Sequence, residues 1–250
     1  MTPALPPTGR RVLVALVLVS AVLPSTIGLP GLSGRVAAAT STVVFHDDFS
    51  GATAPVRLDQ HVPTIAGQGW TQIYTNNPSY FFEVFPSGET GANHSANNVR
   101  TKYRADPMPA GDEYDVEVTV SRVHAGSGTR PLNVILRWDS YGNWVNLSLY
   151  RTDIGGAGSV RINKRVGEQP IQAVTGGNFG PLPGDVFRAE VRNDGITVYR
   201  NGQQILFTSD VYHTTIQKNA IGLSAGIEGH LHADWRVSEY KVSEIGEAFP

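Results

Sequence analysis

Residues 186–209, VFRAEVRNDGITVYRNGQQILFTS, constrain the fold more than any other stretch of this chain. Phe187, Ala189 and Val191 alternate with polar residues, as do Ile196 with Val198 and Ile205 with Phe207. A period of two marks strands with one buried face. Asp194-Gly195 and Asn201-Gly202 separate the runs. Gly and Asn tolerate the positive φ of tight hairpin turns. The spacing predicts an antiparallel three-stranded meander.

The pattern continues along the chain. Short alternating runs at 42–46, 70–74, 80–85, 97–103, 113–123, 132–138, 143–150, 158–165, 219–226 and 232–243 are broken by Gly, Pro, Asn and Asp. So many short strands at this spacing predict an all-β, two-sheet antiparallel sandwich or jelly roll, with helix confined to single turns. Two long Gly- and Pro-containing loops, 50–69 and 166–185, either carry a ligand site or wrap the sheet edges.

The first 39 residues read as a signal peptide. Arg10 and Arg11 precede an apolar run from Val12 to Leu23, and Ala37-Ala38-Ala39 offers a small-residue cleavage site. The arginine pair fits twin-arginine export or an ordinary secretory leader. Residues 40–250 then form one secreted domain, expected to act as a monomer. No segment in it is long and apolar enough to span a bilayer. The chain has no cysteine, which excludes thiol catalysis and thiolate metal sites. Without Arg10, Arg11 and Arg35 the 20 Lys+Arg become 17, against 22 Asp+Glu. A domain this acidic, with no basic run, is not expected to bind nucleic acid.

Several segments in order resemble the secreted bacterial domains of the concanavalin A-like lectin/glucanase superfamily, the laminin G-like jelly rolls. Phe45-His46-Asp47-Asp48-Phe49-Ser50 resembles their opening strand. Trp70 follows a Gly-rich loop, and then come Tyr114–Val120 and the hairpin LNVILRWDSYGNWVNLSLY at 132–150. The 186–209 meander, Ile221-Gly222-Leu223 and the closing Ala233-Asp234-Trp235-Arg236-Val237 complete the series. The resemblance implies two stacked antiparallel sheets, one of them concave. It does not imply a single activity, because this fold hosts lectins, glycosidases, lyases and structural domains.

Three constellations could carry chemistry. The hairpin is the first. If Val134, Leu136 and Trp138 face the core, Arg137 faces the other way, and with Trp144, Asn146 and Tyr150 it shares one sheet face. Asp139 and Tyr141 adjoin them in the hairpin loop. Aromatic rings stack on sugar rings while Arg and Asn bond hydroxyls, so these residues form a candidate carbohydrate platform. The competing reading is a packed second face.

The second is Glu113-Tyr114-Asp115-Val116-Glu117, with its three acids on one strand face. Family 16 glycoside hydrolases of the same superfamily use a Glu-x-Asp-x-Glu strand. That resemblance would make Glu113 the nucleophile, Asp115 the helper and Glu117 the acid/base. Positions four apart on a strand are about 13 Å apart, so the outer two must lean together to reach the ~5–5.5 Å of a retaining pair. The competing reading is a solvated outer face.

The third is a Ca²⁺ site from Asp47 and Asp48 on the first strand and Asp234 near the last. Otherwise no cofactor is expected. His230, His232, His46, His61, His94, His124 and His213 lack the acidic partners a zinc site needs. Two main readings remain: a non-catalytic, lectin-like carbohydrate-binding domain, or a retaining endo-glycosidase. A structural or protein-interaction jelly roll is the third.

Overall fold

The structure, a computed structural model, describes residues 40–97, 99–123, 131–151, 157–167, 169–177, 179–210, 212–225, 230–231 and 234–246. The signal-peptide reading of residues 1–39, and the readings that involve His124, His232 and Ala233, lie outside the described residues.

In chain order the strands are β1 (Ser41–Asp47), β2 (Val56–Arg57), β3 (Gly69–Thr75), β4 (Phe82–Phe85), β5 (Glu89–Ala92), β6 (Ala96–Asn97), β7 (Thr101–Asp106), β8 (Tyr114–Arg122), β9 (Leu132–Ser140), β10 (Asn143–Arg151), β11 (Gly158–Arg165), β12 (Gln172–Thr175), β13 (Val186–Arg192), β14 (Gly195–Arg200), β15 (Gln203–Thr208), β16 (Ala220–Ala225), β17 (His230–Leu231) and β18 (Arg236–Ile245). Helix among the described residues is limited to single turns at Leu58–Gln60 and Tyr212–Thr215.

Two antiparallel sheets form a sandwich. Sheet A runs β15-β14-β13-β8-β18-β5-β4-β2, with β1 also paired to β18. Sheet B runs β12-β11-β10-β9-β16-β7-β3. A third pair, β6 with β17, joins the segments before β7 and after β16. The inward faces obey the period of two. Tyr114, Val116, Val118 and Val120 of β8 meet Val134, Leu136, Leu147 and Leu149 of sheet B in one core. Phe45 and Tyr240 of sheet A pack edge-on against Trp70 of sheet B, with ring centres 5.0 and 5.1 Å away. The Tyr114 hydroxyl crosses the core to donate to the Leu136 carbonyl at 2.7 Å. Burial pushes that phenol up to about 12, so it remains a donor at neutral pH.

The meander forms as expected, with two differences in detail. Arg200 pairs with Gln203, and Asn201 and Gly202 between them take φ of 51° and 80°, the positive pair that a two-residue hairpin favours. The other turn falls on Asn193-Asp194 and not on Asp194-Gly195, because Arg192 pairs with Gly195. In β15 the buried residues are Leu206 and Thr208, while Phe207 is 50% exposed. Tyr199 pairs with Gln204 and Val198 with Leu206, so Ile205 is the extra residue of a bulge and the inward face changes parity there.

The pattern missed β2, β5, β12 and β17. All four residues of β12 are exposed at the sheet edge, which leaves no apolar alternation to read. Loop 50–69 wraps the edge through Leu58, which is fully buried.

Candidate functional site

The expected platform lies on the outer face of sheet B, and it differs from the expectation at one strand. On β10 the alternation holds: Val145, Leu147 and Leu149 enter the core, and Trp144, Asn146, Ser148 and Tyr150 face outward. On β9 the register shifts. Asn146 pairs with Ile135 but Val145 pairs with Arg137, so Leu136 is a bulge. A one-residue slip exchanges the faces of everything beyond it. Arg137 therefore leaves the platform. It is 3% exposed and donates to the Ile216 carbonyl at 3.1 Å and to Asp112 at 2.8 Å. Trp138 takes its place, paired with Trp144 across the strands.

Neighbouring strands complete the face. On β7, Tyr103 and Ala105 enter the core, so Lys102 and Arg104 face outward, next to Ser224 of β16 and Tyr74 of β3. On β11, Arg161, Asn163 and Arg165 oppose Ser148, Asn146 and Trp144. The floor is polar and buried: Asn133, Asn146, Ser148, Ser224 and Asn163 are at most 2% exposed. Ser148 donates to Asn133 Oδ1 at 2.6 Å, and Asn163 donates to the Tyr150 hydroxyl at 2.9 Å. Among the described residues, the buried atoms of this face without a hydrogen-bond partner include Asn133 Nδ2, Asn146 Oδ1 and Trp138 Nε1. Buried polar groups without a partner are costly, and each one needs an explanation.

The rim is aromatic and cationic. Tyr141, at the hairpin tip, is 42% exposed. The guanidiniums of Arg100 and Arg165 each lie 5.0 Å from its ring centre, and Tyr74 lies 6.3 Å away. Arg100 also donates to the Tyr141 hydroxyl. Arg161 covers the Tyr150 ring at 4.6 Å. Trp144 donates to the Tyr141 carbonyl at 3.2 Å, which fixes the tip. Asp139 accepts from Asn219 at 2.8 Å. Lys102 is 6% exposed, and burial, with Arg100 nearby, pushes its ammonium down to about 8. Sequence reasoning missed Tyr74, Arg100, Lys102, Trp138, Arg161 and Arg165. Alternation alone places Lys102 and Arg104 outward, but the pairing order that brings β7 and β11 to this face is a property of the topology.

Glu113, Asp115 and Glu117 sit on the other side of the sandwich, at and along β8 on the outer face of sheet A. Asp115 accepts from Arg192 at 2.7 Å and lies 3.7 Å from Arg188. Glu117 pairs with Lys241 of β18, and Glu113 accepts the Asn193 backbone N–H at 3.0 Å beyond β13. The strand β8 lies between β13 and β18, so the outer two carboxylates lean toward opposite neighbours.

The calcium trio does not assemble. Asp47 is fully buried, and its carboxylate accepts from the Phe49 N–H, His61 Nε2 and Trp70 Nε1 at 2.8, 3.1 and 2.7 Å. Asp48 accepts from the Ser50 N–H at 3.1 Å and the Thr64 hydroxyl at 2.9 Å, and the Ser50 side chain first, then these bonds, hold its pKa down. Asp47 pairs with Tyr240, six residues from Asp234, up to about 20 Å of extended strand. Among the described residues no three His, Asp or Glu side chains gather where an ion could sit.

Neither a protein-family model nor a curated protein sequence matches the chain. Solved structures match its fold. A β-1,3-glucanase from Mycobacterium marinum superposes with a TM-score of 0.51 at 10% identity, over 80% of this chain and 98% of that one. Domain 4 of AbnA, a GH43 extracellular arabinanase from Geobacillus stearothermophilus solved with arabinotriose, gives 0.51 at 12% identity, over 82% and 93%. A protein of unknown function from Shewanella oneidensis MR-1 gives 0.50 at 12% identity, over 90% and 99%. The sandwich is thus the concanavalin A-like fold that the sequence resembles, and at these identities the likeness is one of fold alone.

Proposed function

We propose that residues 40–250 form a secreted, monomeric, non-catalytic carbohydrate-binding module whose ligand lies on the outer face of sheet B. One observation carries the reading. Asn133 Nδ2, Asn146 Oδ1 and Trp138 Nε1 are buried without partners on a face that also presents Tyr74, Tyr141, Trp144 and Tyr150. A sugar hydroxyl both donates and accepts, so a saccharide suits this mixture of donors and acceptor once their side chains turn toward the surface. Aromatic rings beside them offer the flat apolar surface that a sugar ring stacks on. The arabinotriose bound to the arabinanase domain supports the same ligand class.

The test scores pull-down and new reducing ends in the same tubes, over a panel of soluble and insoluble polysaccharides. Pull-down without new ends, lost in Tyr141→Ala, is the expected result. New reducing ends that vanish in Glu113→Gln would replace this reading with a retaining glycosidase. Unchanged affinity in Tyr141→Ala would remove the site from this face.

A further inference from the structure

The two outer faces of the sandwich treat their charges differently. On sheet A, Arg188 meets Glu190 at 2.9 Å, Arg192 meets Asp115 at 2.7 Å and Lys241 meets Glu117, while Arg236 donates to the Ala92 and Trp235 carbonyls. On sheet B, Arg104 is paired with Asp106 at 2.7 Å. Its neighbours rest on neutral oxygens. Arg100 donates to the Tyr141 hydroxyl, Lys102 to Ser224 Oγ at 3.4 Å, and Arg161 to Ser159 Oγ at 2.8 Å. Acids outnumber bases in the domain, 22 to 17, so this concentration of cations is not a by-product of composition.

We propose that the outer face of sheet B selects an acidic polysaccharide, one whose carboxylate or sulfate groups seat against Arg100 and Arg165 beside the Tyr141 ring and Lys102 beside Trp144. The inference rests on the carbohydrate-binding reading and names its ligand class. The geometry suits such a sugar. Tyr141 is partly exposed, and guanidiniums from β11 and the start of β7 lie over its ring, each 5.0 Å from its centre. A sugar ring beside the exposed edge of Tyr141 would carry its anionic substituent to a guanidinium fork, which matches planar carboxylates in bidentate fashion. Lys102 is buried with Ser224 Oγ as its acceptor; burying a cation against a neutral oxygen is costly, and an arriving anion reduces that cost. Burial, with Arg100 nearby, lowers the pKa of Lys102, and an anion seated beside it would oppose both effects. A nucleic acid is also a polyanion, but the net acidity of the domain repels a long one, whereas a local cluster can still read a charged sugar.

The experiment measures binding of the purified full chain to immobilised polygalacturonate and chondroitin sulfate, to neutral laminarin and arabinan, and to single-stranded DNA. The expected result is preference for an acidic glycan, weakened by added salt and reduced about tenfold in Arg100→Gln. Thermal unfolding checks that the variant folds, and Arg165→Gln replaces it if it does not. The two acidic glycans separate carboxylate from sulfate recognition, and capture of either supports the proposal. Capture of neutral glycans alone overturns the charge selection and leaves the carbohydrate reading standing. No glycan capture overturns both. Equal capture of DNA, or full acidic-glycan affinity in a folded variant, overturns the proposal.

Discussion

The Lys102 ammonium lies 5.9 Å from the centre of the Trp144 indole, with Ser224 Oγ as its hydrogen-bond acceptor at 3.4 Å. The contact places a titratable cation among the aromatic residues of the proposed site. Burial holds that ammonium near 8, far below the ordinary 10.5 of lysine. An anionic ligand prefers the protonated form. Affinity for an acidic glycan should therefore hold below pH 8 and fall as pH rises through about 8. Lys102→Met should bind more weakly at neutral pH and lose this step. Calorimetric titration from about pH 6 to 10 reads both. A wild-type affinity flat across that range would count against Lys102.

The same residue should cost the free protein stability. Its folded pKa is about 8 and the ordinary lysine value 10.5, so between these values the unfolded chain binds more protons. Stability should rise as pH climbs from about 8 toward 10.5. At neutral pH both states are protonated and the full penalty of burying the charge is present. Lys102→Met should then stabilise the fold by on the order of 2 kcal/mol, seen as a raised Tm. A lowered Tm would mean that Lys102 has an internal counter-charge.

Tyr141 and Trp144 should separate binding from folding. Tyr141 is 42% exposed, whereas Trp144 is 6% exposed. Tyr141→Ala should abolish glycan retention with a stability change of about 1 kcal/mol or less. Trp144→Ala empties a buried site and frees the hairpin tip, at a cost of about 3 kcal/mol. Urea denaturation of both variants, beside pull-down, distinguishes these outcomes.

Glu117 belongs to the opposite face, where Lys241 holds it in a part-exposed pair. Pairs of that kind contribute about 1 kcal/mol or less. Glu117→Gln should leave glycan binding unchanged and shift Tm only slightly. A loss of binding or of polysaccharide hydrolysis in this variant would move the functional face to sheet A.

How much of this was legible in the sequence turns on parity. Where alternation runs unbroken, as in β8, β10 and β13, the inward residues could be read directly. Tyr114, Val116, Leu147, Phe187 and Ala189 are all in the core. Parity failed at bulges. Ile135-Leu136-Arg137-Trp138 offers an apolar residue for either choice of face, and nothing local marks Leu136 as the extra one. Arg137 and Trp138 were exchanged for that reason, and Ile205 misled the reading of β15 in the same way. The cations of the site were hidden differently. Arg100 and Arg165 lie far apart in the chain, and the fold of sheet B brings them to one ring, Tyr141.

Asp47 was legible as an acid at the end of the first strand, but not as the centre of a buried network. Its carboxylate satisfies the Phe49 N–H, His61 Nε2 and Trp70 Nε1, and so fixes the start of loop 50–69. A carboxylate can only accept, so His61 must donate from Nε2. Phe49 takes a φ of 53°, uncommon for a non-glycine residue, and Asp47 holds its N–H there. Asp47→Ala would leave three buried donors unpaired, at a cost on the order of 3 kcal/mol in urea denaturation. With every donor internal, chelation by EDTA should leave the wild-type Tm unchanged. A Tm that falls with EDTA and recovers with Ca²⁺ would show that this network is completed by an ion.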